Sequence, residues 1–169
     1  CAALTHDTLE WLQAGTGPGR CVLTLGDADY PAPLLDIPDP PLMLYAMGQT
    51  AQLATLQAEQ ALAMVGSRNP TPQGAENART FACSLAASGL TVVSGLALGV
   101  DGAAHEGALQ GALQTGPLAT IAVVGTGLDL VYPRAHQGLA RQIALQGWLI
   151  SELPPGTPAM AHHFPRRNR

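Results

Sequence analysis

Ala61-Leu62-Ala63-Met64-Val65-Gly66-Ser67-Arg68-Asn69-Pro70-Thr71-Pro72 changes character twice within a short span. Its first five residues form an unbroken apolar run, the pattern of a strand buried on both faces of a parallel sheet. Gly66 to Asn69 make a short polar loop. Thr71 and Pro72 then pair as helix N-cap and first-turn residue. The threonine oxygen accepts an orphan amide, and proline lacks the amide that the first turn leaves unbonded. Strand, loop and helix in this order make the first half of a βαβ unit.

The same alternation continues downstream. Ala75, Ala78, Phe81, Ala82, Leu85 and Ala86 recur at helical spacing, and Ser88-Gly89 ends that helix. The pattern then predicts a strand over 90–93, a helix over 100–113, a strand over 120–124, a helix over 135–146 and a strand over 148–150. Upstream, Asp7 starts a short helix over 7–14 whose Leu9, Trp11 and Leu12 are expected to dock nearby, and Gly15 to Gly19 form a linker. Strands are expected over Val22–Leu25 and Leu42–Met47. The five prolines between Tyr30 and Pro41 argue against regular structure there. The fold class is α/β: a doubly wound, mainly parallel sheet with helices on both faces.

Composition narrows the chemistry. The chain has 169 residues, 47% hydrophobic and 12% charged, enough for one domain with its own core. No apolar run is long enough to cross a membrane. Cys1, Cys21 and Cys83 form no C-x-x-C pair, which argues against a zinc knuckle or a disulfide framework and points to the cytoplasm. The chain opens on Cys1 without a signal sequence and stops inside a basic run, so it reads as a piece of a longer protein. It contains no lysine. That excludes a Walker A loop and a Schiff-base mechanism in this segment. The net charge of −4 is uneven: −5 over residues 1–50 and +1 over 51–169, with five of the eight arginines at or beyond Arg134. A local basic surface on an acidic protein is the expectation.

In such a sheet, ligands bind where loops leave the carboxyl ends of the strands. Three loops qualify. Gly66, Ser67, Arg68 and Asn69 precede a helix N-terminus, a place for an anion that Arg68 can grip with two donors; a tight turn with a solvated arginine is the alternative. Ser94, Gly95 and Gly99 allow close backbone approach to a ligand. Asp101 and His105 follow four residues apart, either an acid/base or metal pair or a dipole-compensating aspartate beside a structural histidine. No third ligand has matching spacing, so no metal is expected. Gly125, Thr126 and Gly127, with Asp129, resemble half of a dinucleotide fingerprint. Leu130 replaces the third glycine and Tyr132-Pro133 breaks the helix, so a nicotinamide, or any other cofactor, is not expected. Arg134 follows at the same edge. The tail joins one ring, Phe164, to Arg166, Arg167, Asn168 and Arg169, the mix of stacking surface and cation that single-stranded DNA binders use; a frayed terminus is the alternative. Trp11 and Trp148 are read as core. No G-x-S-x-G elbow is present, and nothing in the sequence demands catalysis.

Taken in order, the motifs resemble a known family. They are Tyr30-Pro31 with Leu34-Leu35; Pro40-Pro41-x-x-Leu44-Tyr45-x-x-Gly48; Val65-Gly66-Ser67-Arg68; Ser94-Gly95-Leu96-Ala97-x-Gly99-Val100-Asp101-x-x-Ala104-His105-x-Gly107-Ala108-Leu109; Gly125-Thr126-Gly127-Leu128-Asp129; Tyr132-Pro133; Ser151-Glu152; and Phe164-Pro165-x-Arg167-Asn168-Arg169. The set resembles the DprA/Smf family of DNA-processing proteins over about residues 20–169. The resemblance implies an extended Rossmann-like domain over 20–169 that continues past Arg169, preceded at 1–19 by the end of an N-terminal helical domain and its linker. It implies no enzyme activity, single-stranded DNA binding in natural transformation, protection of incoming strands, loading of the RecA recombinase and homodimers. Site residues carried over are Gly66, Ser67, Arg68, Ser94, Gly95, Gly99, Asp101, His105, Gly125, Gly127, Arg167, Asn168 and Arg169, with Arg134 where relatives often carry lysine. An alternative is an enzyme similar to nucleoside-monophosphate phosphoribohydrolases, but Gly125-Thr126-Gly127 lacks the companion glutamate of their P-G-G-x-G-T loop.

Overall fold

The computed structural model describes residues 2–14, 17–49, 58–112 and 118–168. Its elements run α1 (Ala2–Gln13), β1 (Gly19–Thr24), a 3₁₀ turn (Ala32–Asp36), β2 (Met43–Gly48), a second 3₁₀ turn (Ala58–Gln60), β3 (Ala61–Ala63), α2 (Pro72–Ala87), β4 (Thr91–Ser94), α3 (Val100–Ala112), β5 (Thr120–Val123), a third 3₁₀ turn (Arg134–His136), α4 (Gln137–Gln146), β6 (Trp148–Ser151) and α5 (His163–Arg167). The six strands form one sheet in the order β1-β2-β6-β5-β4-β3. The β3–β4, β4–β5 and β5–β6 pairs are parallel, while β1–β2 and β2–β6 are antiparallel.

The parallel strands lie side by side in chain order. Right-handed crossovers between them therefore deliver α2, α3 and α4 to the same face. Helical cover is thus uneven, with α2, α3 and α4 on one face and the short α5 at the rim of the other. Side chains alternate along each strand: Val92, Ala122 and Leu149 join the helix-side core, whereas Ile121, Trp148 and Ile150 join a second core on the other face. That second face is closed by Tyr30, by Leu34 of the first 3₁₀ turn and at one rim by α5, and a cavity of about 330 Å³ stays open over it. The Tyr30 hydroxyl pins the proline-rich segment by donating to the Pro41 carbonyl at 2.6 Å.

Several boundaries depart from the sequence pattern. The first helix begins at Ala2, five residues before Asp7, because Ala2 to His6 hold no residue that breaks a helix. Of its three apolar side chains, Trp11 is buried edge-on against Tyr45 and Leu12 packs beside it, while Leu9 is half exposed. The segment 30–41 is not wholly irregular: Pro31 precedes the 3₁₀ turn at Ala32–Asp36, a site where a fixed proline φ fits. The basic tail folds into α5.

The α2 helix starts as its residues dictate, with the Thr71 hydroxyl accepting from the Gly74 amide at 3.1 Å, and Gly89 leaves it at φ +88°. Its inward face is Ala78, Ala82 and Ala86, and Phe81 points outward. Nothing larger fits, because α3 approaches so closely that a Cβ at Gly107 would overlap the Arg79 carbonyl and one at Gly111 the Cys83 carbonyl. Arg79 ties the two helices further through Glu106 at 2.7 Å. At Gly107, overpacking costs about 1–3 kcal/mol, against at most about 1 kcal/mol gained in helix propensity. Gly107→Ala should therefore lower stability, whereas Gly138→Ala in α4, with open space around it, should raise it by up to about 1 kcal/mol. Urea unfolding of both variants reads the two opposite signs.

Candidate nucleic-acid interface

The carboxyl ends of β3, β4 and β5 bring three loops to one edge of the sheet, and α5 lies across them. The loops touch through backbone. Gly99, at φ +82°, sits where a Cβ would overlap the Ser67 and Arg68 carbonyls, and the Val100 amide donates to the Ser67 carbonyl at 3.1 Å. The Asn69 amide donates to the Ser67 hydroxyl at 3.1 Å, closing the first loop as a tight turn. Gly125 carries the ring of Phe164, with ring carbons 3.2 Å from where a Cβ would stand. His163 Nδ1 donates to the Gly125 carbonyl at 3.2 Å. Arg167 reaches deepest: its Nη1 donates to the Val123 carbonyl at 2.6 Å and to the Gly95 carbonyl.

A ring and guanidinium cluster stands over this floor. Tyr132 and Phe164 have centroids 5.7 Å apart at 40°, and the guanidinium of Arg68 lies 5.7 Å from the Phe164 centroid. Arg167 approaches the same ring at 5.9 Å. Arg68 and Tyr132 are exposed, so cation and ring are both presented to solvent. A hollow of about 530 Å³ lies among Arg68, Tyr132, Phe164, Pro165 and Asn168. A narrower one of about 140 Å³ shares Arg68, Tyr132 and Phe164 and is lined also by Gly95, Gly125 and Arg167. Arg134 is exposed just beyond Tyr132-Pro133. In the sequence Tyr132 stands in a family motif and in the Tyr-Pro break after the glycine loop, but not among the expected site residues. The available signal was an aromatic residue inside the third carboxyl-edge loop.

Other expected ligand residues serve the scaffold. Ser94 is buried and donates to the Met64 carbonyl at 2.6 Å. The Thr126 hydroxyl donates to the Leu130 carbonyl at 3.0 Å. Gly127 packs against the Pro154 carbonyl, and both Asp129 oxygens accept from the Gly156 amide at 2.8 and 2.9 Å. Residues 154–157 therefore cover the Gly127 end of the glycine loop, while Gly125 and Thr126 line the narrower hollow. Arg166 turns away to Glu152 at 3.3 Å, on the rim of the second-face cavity. Arg169 lies outside the described residues. Among the described residues, no group of three His, Cys, Asp or Glu is placed to hold a metal ion.

Asp101 and His105 are both buried and do not form a pair open to ligand. Asp101 accepts from the Ala97 amide at 3.3 Å, in the first turn of α3 where a carboxylate suits the helix dipole. His105 Nδ1 is 2.7 Å from the Thr120 hydroxyl, which itself donates to the Val92 carbonyl at 2.5 Å. Since that hydroxyl has one proton, His105 donates from Nδ1, and its Nε2 is a buried lone pair without a partner among the described residues. Burial, and then the charges of His136 and Arg167, push the His105 pKa down to about 3. Burial also lowers that of Arg167, with Arg68 acting the same way and Asp101 opposing.

The folded-state pKa of His105 lies below its unfolded value, so between about 6.5 and 3 the unfolded chain binds the extra proton. Stability from this group is complete above that window and is lost as pH falls through it, by at most about 1.4 kcal/mol per pH unit. His105→Asn keeps a donor for Thr120 and removes the titration. Its unfolding free energy should fall less steeply than that of the wild type from pH 6.5 to 4, as measured by denaturant titration; parallel profiles would contradict the assignment.

Comparison with known proteins agrees with this architecture. A model of the family described as DNA recombination-mediator protein A matches residues 21–169. Protein Smf of Synechocystis sp. is 42% identical over 147 residues, spanning 87% of this chain and 36% of that protein. Protein Smf of Escherichia coli is 40% identical over 165 residues, spanning 97% and 41%. The chain thus spans less than half the length of these relatives. Among solved structures, DNA processing protein A from Streptococcus pneumoniae superposes with a TM-score of 0.79 at 35% identity, covering 99% of this chain and 52% of that one. The Helicobacter pylori protein, whose structure was described for a unique single-stranded DNA binding mode, gives 0.73 at 33% identity, covering 87% and 62%. The matched span and these identities show that this chain belongs to the DNA recombination-mediator protein A family.

Proposed function

We propose that this chain binds single-stranded DNA at the carboxyl edge of its sheet, with bases on the Tyr132–Phe164 pair and phosphates on Arg68 and Arg134. The observation that carries the reading is the cluster of two rings and a guanidinium, with Tyr132 and Arg68 exposed, Phe164 half-buried between them, the rings 5.7 Å apart and Arg68 over Phe164. Rings take any base by its face, and the arginines supply the electrostatic track. The family membership and the single-stranded DNA binding described for the Helicobacter pylori relative support it. The chain's net charge of −4 does not oppose it, because the acidic residues concentrate in the first fifty positions.

The wider role follows the family: a cytoplasmic, homodimeric DNA-processing protein that protects incoming strands and loads RecA recombinase during natural transformation. In this reading the chain is not an enzyme. Asp101 and Asp129, the carboxylates of the second and third loops, are already bound to the Ala97 and Gly156 amides. Release of free base from AMP would instead favour the phosphoribohydrolase alternative.

Labelled oligo-dT titrated at several salt concentrations tests the site. Arg68→Ala should weaken binding and shallow the slope of log K against log salt by about 0.7, the loss of one phosphate contact on a single strand. Unchanged affinity and slope would remove Arg68 from the site. Tyr132→Ala and Phe164→Ala should each cost about 1–3 kcal/mol per base stacked and leave that slope in place.

A further inference from the structure

Arg167 belongs to the densest basic run of the chain, yet its geometry is not that of a phosphate ligand. Both Nη1 protons are engaged, one with the Val123 carbonyl at 2.6 Å and one with the Gly95 carbonyl. Its Nε is buried and has no acceptor among the described residues. Gly95 is shaped for it, because any Cβ at that position would occupy the space of the guanidinium. The two carbonyls belong to the carboxyl ends of neighbouring parallel strands. Left unpaired, they would put two negative dipole ends on the floor of an anion-binding crevice. The same side chain ties α5, a five-residue helix, to the sheet, and α5 carries Phe164. Its other side-chain anchors include the His163 bond to Gly125 and the Arg166–Glu152 pair, in which the arginine is exposed and the glutamate is largely buried.

We propose that Arg167 is a positioning residue: it clamps the ends of β4 and β5 and so holds the Phe164 ring over Gly125, between Arg68 and Tyr132, without touching DNA itself. This rests on the single-stranded DNA reading above. Two variants remove the clamp in different ways. Arg167→Gln removes the guanidinium. Gly95→Ala keeps every charge and fills the space the guanidinium needs.

The test has two arms on the full chain. Amide hydrogen exchange without DNA should speed up across 163–168 in both variants and stay unchanged in β4 and β5. Labelled oligo-dT titrated over a salt series should bind about tenfold more weakly to both, within the range of one lost base stack. The slope of log K against log salt should match the wild type in Gly95→Ala. The double variant Arg167→Gln with Phe164→Ala should bind no worse than Phe164→Ala alone, since both act through the same ring. A shallower slope in Gly95→Ala, additive losses in the double variant, or wild-type affinity in both single variants would overturn the proposal. Wild-type exchange rates over 163–168 would overturn the clamp even where binding falls. Failure of the wild-type chain to bind oligo-dT would sink the DNA reading and the ring's role with it, while the exchange arm would still judge the clamp.

Discussion

The organisation of this domain depends on direct backbone contact between loops at one edge of the sheet. Parallel strands that lie side by side in chain order send all their following loops to that edge. Here the loops are closer than side chains permit, so a Cβ at Gly99 would overlap the carbonyls of Ser67 and Arg68, and one at Gly66 would stand 2.8 Å from the Val100 side chain. Gly99 also holds a left-handed φ of +82°, which glycine adopts without strain. Substitution at such a point moves two loops at once. The edge therefore behaves as one piece, and a ring placed on any part of it has a fixed relation to the arginine on the next.

How much of this the sequence carries depends on the range of the forces involved. Strands β4 to β6 and helices α2 to α4 are legible because apolar runs, the Thr71-Pro72 start and the Ser88-Gly89 stop are local signals. The apolar run 61–65, by contrast, suggests a strand buried on both faces but gives a three-residue edge strand with Leu62, and Val65 beyond it, exposed, since no described strand pairs with its outer side. The edge that gathers the site is legible too, since it follows from topology. What local pattern cannot carry is which way a side chain turns once loops from distant segments meet. Asp101 and His105 share the spacing of a functional pair, but α3 is pressed so close to the sheet that both are buried. Gly125-Thr126-Gly127 has the composition of a phosphate cradle, but residues 154–157 fold back over its Gly127 end. Tyr132 reads locally as part of a Tyr-Pro break, and its pairing with Phe164, 32 positions away, depends on tertiary contact. Phe81 shows the same limit inside a helix: its spacing is apolar and regular, yet only alanine fits beside Gly107 and Gly111.

The absence of lysine gives the arginines work of different kinds. At position 167 one nitrogen, Nη1, serves both carbonyls, and the rigid guanidinium plane fixes the directions of its two N–H bonds, which a rotating ammonium does not. At position 68 the same planarity allows contact with the face of Phe164. Burial lowers the pKa of Arg167 from an ordinary value so high that the group stays charged at neutral pH. Arg79 and Arg166, by contrast, are committed to glutamates. The acidic whole and the cationic edge are therefore compatible, since only some of the arginines face the crevice.

Were DNA bound at this edge as proposed, preference for single strands would follow from magnitudes rather than from sequence recognition. The rings stand in a hollow with Tyr132 about half exposed, so a base reaches them only by its face. In a duplex those faces are already stacked, and freeing one base costs a few kcal/mol. Stacking on an aromatic ring returns about 1–3 kcal/mol per base. The exchange is unfavourable or near balance for paired DNA, while a single strand starts without that cost. The arginines attract either form. In the proposed reading the two rings would distinguish them, Phe164 on α5 and Tyr132 on the third loop.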